Sequence, residues 1–172
     1  EALMDFEATR NNDVLDGGIA IFAAGNKTTA YASYPGALSD VICVTAFGPD
    51  FLPSYYTNYG AGCNIAAPGG EPYLKPVSPR SSGLSTLPTE KYDSGYGYMY
   101  GTSMACPHVS GAAALGLAYA TKLGKKFTVK EFKSLLLSSV NDIDSGLLGA
   151  VKDYGEGTTV VAPQPGVYKG KM

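Results

Sequence analysis

Three short runs of consecutive apolar residues mark the first half of the chain. They cover residues 19–24, 41–46 and, more weakly, 64–67; Gly25 closes the first run and Pro68 the last. Short continuous apolar runs between turn residues are typical of strands that are buried on both faces, as in a parallel sheet. We therefore expect three adjacent, mostly parallel strands.

Two helices are predicted in the second half. Residues 103–122 are rich in Ala, Gly and Leu and carry few charges, which predicts a helix that is buried nearly all round. A second, amphipathic helix is expected to begin at Thr128, which forms a capping-box pattern with Glu131. Strands combined with helices indicate an α/β fold, and the strands that precede the first long helix are typical of a partial sheet whose neighbours lie elsewhere.

Other segments predict less regular structure. Residues 1–15 are compatible with the end of a helix. Residues 71–95 are rich in Pro, Ser, Gly and Thr and predict a long loop. Residues 96–100 alternate as one arm of a hairpin would, and the Gly- and Pro-rich stretch 144–172 predicts no element.

Composition excludes several classes of protein. The 172 residues are 45% hydrophobic, which indicates a folded domain. With a net charge of −2 and no run of Lys or Arg, the sequence shows no basic patch of the kind that binds nucleic acid or an anionic membrane. No apolar run reaches the roughly 20 residues of a membrane span, and no signal peptide is visible. We favour buried free thiols for the three cysteines over one disulfide with one thiol left over.

The segment from Gly101 to Val109 is the most informative for chemistry. It places Ser103 between a glycine-containing turn and the start of a helix, where backbone N–H groups lack helical partners and the helix dipole is positive. Such N–H groups can stabilise the oxyanion that forms when a serine attacks a carbonyl group. Position alone, however, favours a simple helix N-cap at Ser103 or Thr102.

The residues themselves add a resemblance to a known family. Gly-Thr-Ser-Met-Ala-Cys-Pro-His-Val at 101–109 resembles the nucleophile motif of the subtilisin-like serine proteases, also called subtilases or peptidase family S8. Ala-Ala-Gly-Asn at 23–26, Tyr-Pro-Gly at 34–36 and Ala-Ala-Pro-Gly at 66–69 are similar to further family segments. Their order and spacing agree with the family from about residue 18 to residue 141.

The resemblance implies a fold and a set of site residues. It implies a three-layer α/β fold with a mostly parallel sheet, of which residues 1–172 would be the C-terminal portion and residues 142–172 a C-terminal extension. Ser103 would be the nucleophile and Asn26 the side-chain donor to the oxyanion. The residues implied to contact the substrate are Ala23, Ala24, Gly25, Tyr34, Pro35, Gly101 and Thr102. The small residues at 23–25 would form one wall of the specificity pocket.

Two members of the family's catalytic triad have no counterpart in this chain. The family order is Asp, His, Ser, with both earlier motifs well upstream of the serine. No His-Gly-Thr-His motif and no Asp-Thr-Gly occurs, and the two Asp-Ser-Gly sequences, at 93–95 and 144–146, lie just before and after Ser103 and so do not fit that order. The single histidine, His108, lies five residues after Ser103, about 140° around the helix and about 7.5 Å along it, and the resemblance implies a structural role for it. We therefore expect the general base to lie in a missing N-terminal half, without which the chain is inactive.

The resemblance predicts a serine endopeptidase that forms an acyl-enzyme on Ser103. The alternative is a degenerate, non-catalytic subtilase fragment that serves binding or assembly. A different α/β hydrolase would have Gly-x-Ser-x-Gly around the nucleophile, and this chain has Ala105 at the last position.

Partners, cofactors and location also follow as expectations. The expected partners are a peptide or protein substrate, the N-terminal half and, through an exposed sheet edge, further copies of the chain. The resemblance alone allows calcium, because no dense set of Asp and Glu ligands is visible, and no other cofactor is indicated. Resemblance also implies a secreted, periplasmic or cell-surface protein.

Overall fold

A small parallel sheet and one long helix organise the molecule. The computed structural model describes residues 1–10, 12–71, 83–85, 97–143, 147, 151–153 and 159–161. The elements in chain order are α1 (Ala2–Ala8), β1 (Ile21–Ala23), β2 (Ile42–Phe47), β3 (Ile65–Pro68), β4 (Gly83–Ser85), β5 (Gly97–Met99), α2 (Thr102–Lys122), α3 (Val129–Ser138), β6 (Val151–Asp153) and β7 (Thr159–Val161).

The three predicted strands form one parallel sheet in the order β1-β2-β3, which confirms the expectation. Val44 of β2 pairs with Ala23 on one side and with Ile65 on the other. Every residue of β2 is buried, as its continuous apolar sequence predicts. Helix α2 packs across all three strands, with Ala105 and Val109 in the same core cluster as Val44 and Ile65.

Helix α2 is less buried than its sequence predicts. Its buried residues are Thr102, Ala105, Val109, Ala113 and Ala120, all on the side that faces the sheet. On the other side Leu115 is 73% exposed and Tyr119 is 61% exposed. The expectation of a helix buried nearly all round is therefore wrong for this chain by itself, because the described residues cover only one side of the helix.

Helix α3 begins with the predicted capping box. Thr128 accepts a hydrogen bond from the Glu131 backbone N–H, and the Glu131 carboxylate accepts from the Thr128 backbone N–H at 2.8 Å. The Thr128 hydroxyl also donates to this carboxylate, at 2.9 Å, and the two hydrogen bonds that Thr128 donates hold the pKa of the Glu131 carboxyl below its usual value. Phe132 then packs in a core cluster with Leu15 and Ala113, which joins α3 to α2.

Two antiparallel hairpins complete the described structure. Strand β5 confirms the predicted hairpin arm, and its partner β4 lies inside the segment that was expected to be an unbroken loop. The difference arises because backbone pairing requires no apolar pattern. The rest of that segment after Glu71, residues 72–82 and 86–95, lies outside the described residues, as does residue 96 of the predicted arm. Strands β6 and β7 form the second hairpin, within the stretch for which no element was predicted.

All three cysteines are free thiols, as the sequence favours. Cys43 and Cys63 are buried in one small cluster, and Cys106 is half-buried. The neighbouring Cys63 thiol, together with burial, raises the pKa of Cys43.

Candidate active site

Ser103 lies in the first turn of α2 with its side chain exposed. The N-cap of the helix is Gly101, whose carbonyl oxygen accepts hydrogen bonds from Met104 N at 2.9 Å and Ala105 N at 3.3 Å. Neither Ser103 nor Thr102 therefore acts as the N-cap. Within the described residues, no hydrogen-bond partner occupies the backbone N–H or the hydroxyl of Ser103, so both groups are available to a substrate.

Asn26 lies beside this turn and is held in a single orientation. Its Oδ1 accepts hydrogen bonds from Thr102 N at 2.9 Å and from Thr102 Oγ1 at 2.8 Å. A backbone N–H can only donate, so the Asn26 atom that faces it must be the oxygen. The amide nitrogen Nδ2 is consequently directed away from Thr102 and keeps its N–H groups for another acceptor.

Two hydrogen-bond donors flank the space above Gly101. A Cβ atom placed on Gly101 would lie 3.4 Å from Asn26 Nδ2 and 3.7 Å from Ser103 N. Gly101 has φ +150°, a backbone conformation that favours glycine. The turn thus leaves open a small volume between a side-chain N–H and a backbone N–H, at the positively polarised start of a helix. This arrangement can stabilise a negatively charged oxygen.

The turn at Gly101 is anchored to the segment that follows β3. Gly101 N donates to Gly69 O at 2.9 Å, and the Tyr56 hydroxyl donates to Gly70 O at 2.7 Å. Burial raises the pKa of Tyr56, so the phenol remains a donor at neutral pH. A Cβ on Gly69 would lie 2.8 Å from the Tyr56 hydroxyl, which explains why the Ala-Ala-Pro-Gly segment ends in glycine.

The other candidate substrate-binding residues lie close to Asn26 along the chain. Ala23 ends strand β1 half-buried, Ala24 is fully buried, and Gly25 N donates to Thr102 Oγ1 at 3.2 Å. Tyr34 and Pro35 are exposed.

The segment with Tyr34 and Pro35 returns to the end of β1. Ser33 N donates to Ala24 O at 2.8 Å, and a Cβ on Gly36 would lie 3.1 Å from Ala23 O. The structure therefore brings the two predicted pocket segments together beside Asn26.

His108 is directed along its own helix and not towards Ser103. Its Nδ1 lies 2.7 Å from Met104 O, four residues earlier, and a carbonyl oxygen accepts, so this nitrogen carries the proton. The ring is exposed and lines a groove of about 500 Å³ between β3, α2 and α3. Among the described residues, nothing hydrogen-bonds His108 to Ser103.

Asn58 belongs to the site but was missed by the sequence reasoning. It is fully buried, and it hydrogen-bonds to the backbone on both sides of Asn26. A polar residue whose partners lie about thirty positions away leaves no local signal in a sequence. Its neighbours Tyr56 and Thr57 likewise carry no pattern that indicates a role.

No group of three or more His, Cys, Asp or Glu side chains that could hold a metal ion occurs in the described part of the chain. In the same residues, no helix is long and apolar enough to cross a membrane.

This chain belongs to the subtilase family. The sequence model of that family, peptidase family S8, matches residues 2–157. The match extends at both ends beyond residues 18–141, in which the motifs were recognised. The resemblance to this family and the α/β fold class are thereby confirmed.

Individual relatives agree with the family assignment. The extracellular basic protease of Dichelobacter nodosus is 34% identical over 149 residues, which are 84% of this chain and 22% of the relative. The major intracellular serine protease of Bacillus subtilis (strain 168) is 37% identical over 113 residues, 63% of this chain and 31% of the relative. A solved structure of a protease from Pseudoalteromonas arctica PAMC 21717 matches with a TM-score of 0.58 and 36% identity, over 74% of this chain and 37% of that one. The chain thus spans about a third or less of the two curated relatives.

Proposed function

We propose that this chain provides the nucleophile and the oxyanion donors of a serine endopeptidase. The observation that carries the proposal is the locked Asn26 amide. Thr102 holds Asn26 Oδ1, and Nδ2 is thereby directed to the open space above Gly101, which the Ser103 N–H also borders. Membership of the subtilase family, whose relatives include serine proteases, supports the same reading.

In the proposed reaction, Ser103 Oγ attacks the carbonyl carbon of a peptide bond. The serine proton passes to a general base, and the carbonyl oxygen becomes an oxyanion that accepts hydrogen bonds from Asn26 Nδ2 and Ser103 N. Collapse of the tetrahedral intermediate expels the amine, which takes a proton from the base. Water then hydrolyses the acyl-enzyme by the reverse sequence of proton transfers.

The general base is proposed to come from polypeptide outside residues 1–172. A serine hydroxyl is a weak nucleophile without an adjacent base. The ring of His108, the only histidine of the chain, lies against the backbone of its own helix, with Nδ1 2.7 Å from Met104 O, and within the described residues no hydrogen bond joins it to Ser103. The aspartate and histidine of the triad would accordingly belong to the N-terminal half of the same catalytic domain, and residues 1–172 to its C-terminal portion.

Two uncovered surfaces support this domain organisation. Strand β1 is an edge of the parallel sheet in the described residues, and its three residues are only half-buried. The side of α2 that carries Leu115 and Tyr119 is also exposed. An N-terminal half that adds strands beside β1 and packs on α2 would bury both surfaces.

Substrate and location are proposed from the relatives. The expected substrate is a peptide or protein whose side chain enters a pocket walled by Ala23 and Gly25, with the fully buried Ala24 behind that wall. We propose export from the cytoplasm, because the relative that matches 84% of this chain is named extracellular, whereas the one named intracellular matches 63%.

Peptide hydrolysis by the complete catalytic domain tests the proposal. Ser103→Ala should abolish turnover, and Asn26→Ala should lower kcat on the order of 10²–10³-fold with little change in KM. His108→Ala serves as the control, since it should lower stability but leave turnover to the folded fraction. A complete domain that binds peptide and hydrolyses none would indicate the non-catalytic alternative.

A further inference from the structure

The side-chain amide of Asn58 makes all the hydrogen bonds that an amide can make. Its Oδ1 accepts from Lys27 N at 2.8 Å and from Thr29 N at 3.3 Å. Its Nδ2 donates to Ala24 O at 3.0 Å and to Ser33 Oγ at 3.1 Å. Asn58 is fully buried, so its own end of each bond is shielded from water.

These hydrogen bonds hold the main chain before and after Asn26. The Asn58 backbone N–H donates to Gly25 O at 2.9 Å, and together with the bonds to Ala24 and Lys27 this fixes the main chain on both sides of Asn26. The segment that follows strand β1 therefore folds around Asn58. The side chain of Asn26 itself hydrogen-bonds to Thr102.

Gly25 is shaped to admit the Asn58 amide. It has φ +107°, and a Cβ atom there would lie 2.6 Å from Asn58 Nδ2 and 2.6 Å from Ser33 Oγ. The main chain therefore approaches Asn58 more closely than any other residue type would allow. Thr102 holds the other side of the same turn, through its bond with Gly25 N.

We propose that Asn58 is a positioning residue for Asn26. The turn from Ala24 to Thr29 is hydrogen-bonded to Asn58 on one side and to Thr102 on the other. These bonds determine the position at which Asn26 Nδ2 would donate to the oxyanion. Removal of the Asn58 amide leaves Ala24 O and Lys27 N without their partner, so the turn shifts and the donor moves from its place. This inference deepens the proposed function and rests on it.

A double-mutant cycle in the complete catalytic domain tests the inference. Displacement of a catalytic group by about 1 Å can cost about 10²-fold, so Asn58→Ala should lower kcat about 10- to 100-fold with little change in KM. In an Asn26→Ala background the same substitution should change kcat by no more than about twofold, because the donor that Asn58 positions is already absent. Equal losses in both backgrounds would overturn the proposal, since a purely structural role does not depend on Asn26.

Asn64 offers a matched control. It is also an asparagine at the sheet, and its Oδ1 accepts from Cys43 N at 2.7 Å, whereas no hydrogen bond joins its side chain to residues 24–29 in the described part of the chain. Asn64→Ala should lower stability but leave kcat unchanged. If Asn64→Ala lowers kcat as far as Asn58→Ala does, the effect is general loosening of the sheet and the proposal is wrong.

A second variant covers the case in which Asn58→Ala does not fold. Asn58→Asp keeps the shape and the acceptor for Lys27 N and Thr29 N, and it replaces the amide nitrogen that donates to Ala24 O and Ser33 Oγ with an oxygen. It should show a smaller loss of kcat that again disappears in the Asn26→Ala background, and an equal loss in both would refute the role. If Asn26→Ala itself leaves kcat unchanged, the proposed function fails, which is a different outcome from a failure of the Asn58 proposal.

Discussion

The hydroxyl group of Thr102 offers a quantitative test of how the site is assembled. Thr102 is 1% exposed, and its hydroxyl donates to Asn26 Oδ1 at 2.8 Å while it accepts from Gly25 N at 3.2 Å. Thr102→Val keeps the shape of the side chain but removes both hydrogen bonds. Each such bond contributes about 0.5–1.5 kcal/mol net, so the free energy of unfolding should fall by about 1–3 kcal/mol.

The same substitution should also affect catalysis. With the hydroxyl gone, Asn26 Oδ1 retains only its bond to Thr102 N, so the amide is less firmly oriented and kcat should fall. Thr102→Ser is the matched control, because it keeps the hydroxyl and loses one buried methyl group. It should lower stability by about 1 kcal/mol but preserve kcat.

Urea unfolding and steady-state kinetics of the complete catalytic domain separate the two variants. The expected pattern is a loss of stability in both and a loss of kcat in Thr102→Val alone. If the valine variant keeps both the stability and the kcat of the parent, the hydroxyl does not orient Asn26 and the reasoning is refuted.

Four further substitutions follow from the structure. Gly25→Ala should destabilise the fold by more than about 2 kcal/mol in urea unfolding, because Gly25 has a positive φ and lies close to Asn58. Gly111→Ala, by contrast, should stabilise the fold by up to about 1 kcal/mol, because a Cβ atom there would meet nothing within 4 Å. The pKa of Glu131 is lowered from its usual value of 4.5 in the folded state. Its contribution to stability is therefore complete above that value and is lost as pH falls through the lowered folded-state pKa. Glu131→Gln should remove this part of the pH profile of the melting temperature. Leu115→Lys should reduce self-association of the chain in light scattering, because Leu115 is 73% exposed on the uncovered side of α2, and an unchanged mass distribution would count against that surface.

The parallel sheet could be predicted because burial on both faces leaves a direct record in the sequence. Strand β2 is buried along its whole length, so all its positions are apolar or small. The capping box of α3 was equally visible, since both of its members lie within four residues. Such local or periodic features can be recognised without knowledge of the fold.

Other features depend on distant contacts and could not be predicted. The apolar sequence of α2 indicates that the helix requires packing partners on every side, but it does not indicate which of those partners lie in this chain. The exposed side of α2 could therefore not be predicted. Asn58 acquires its role from the backbone of residues 24–29, about thirty positions away. Ser103 and Asn26 were identified by resemblance, because their positions alone suit an ordinary helix start and an ordinary turn.

Fluorophosphonate labelling of the complete catalytic domain tests the assignment of Ser103 most directly. These reagents modify serines that a base has activated and that an oxyanion site assists. We expect one label per molecule, located on Ser103 by peptide mapping, absent in Ser103→Ala and retained in folded His108→Ala. A label on another residue, or its loss in His108→Ala with the fold intact, would contradict the assignment of nucleophile and base.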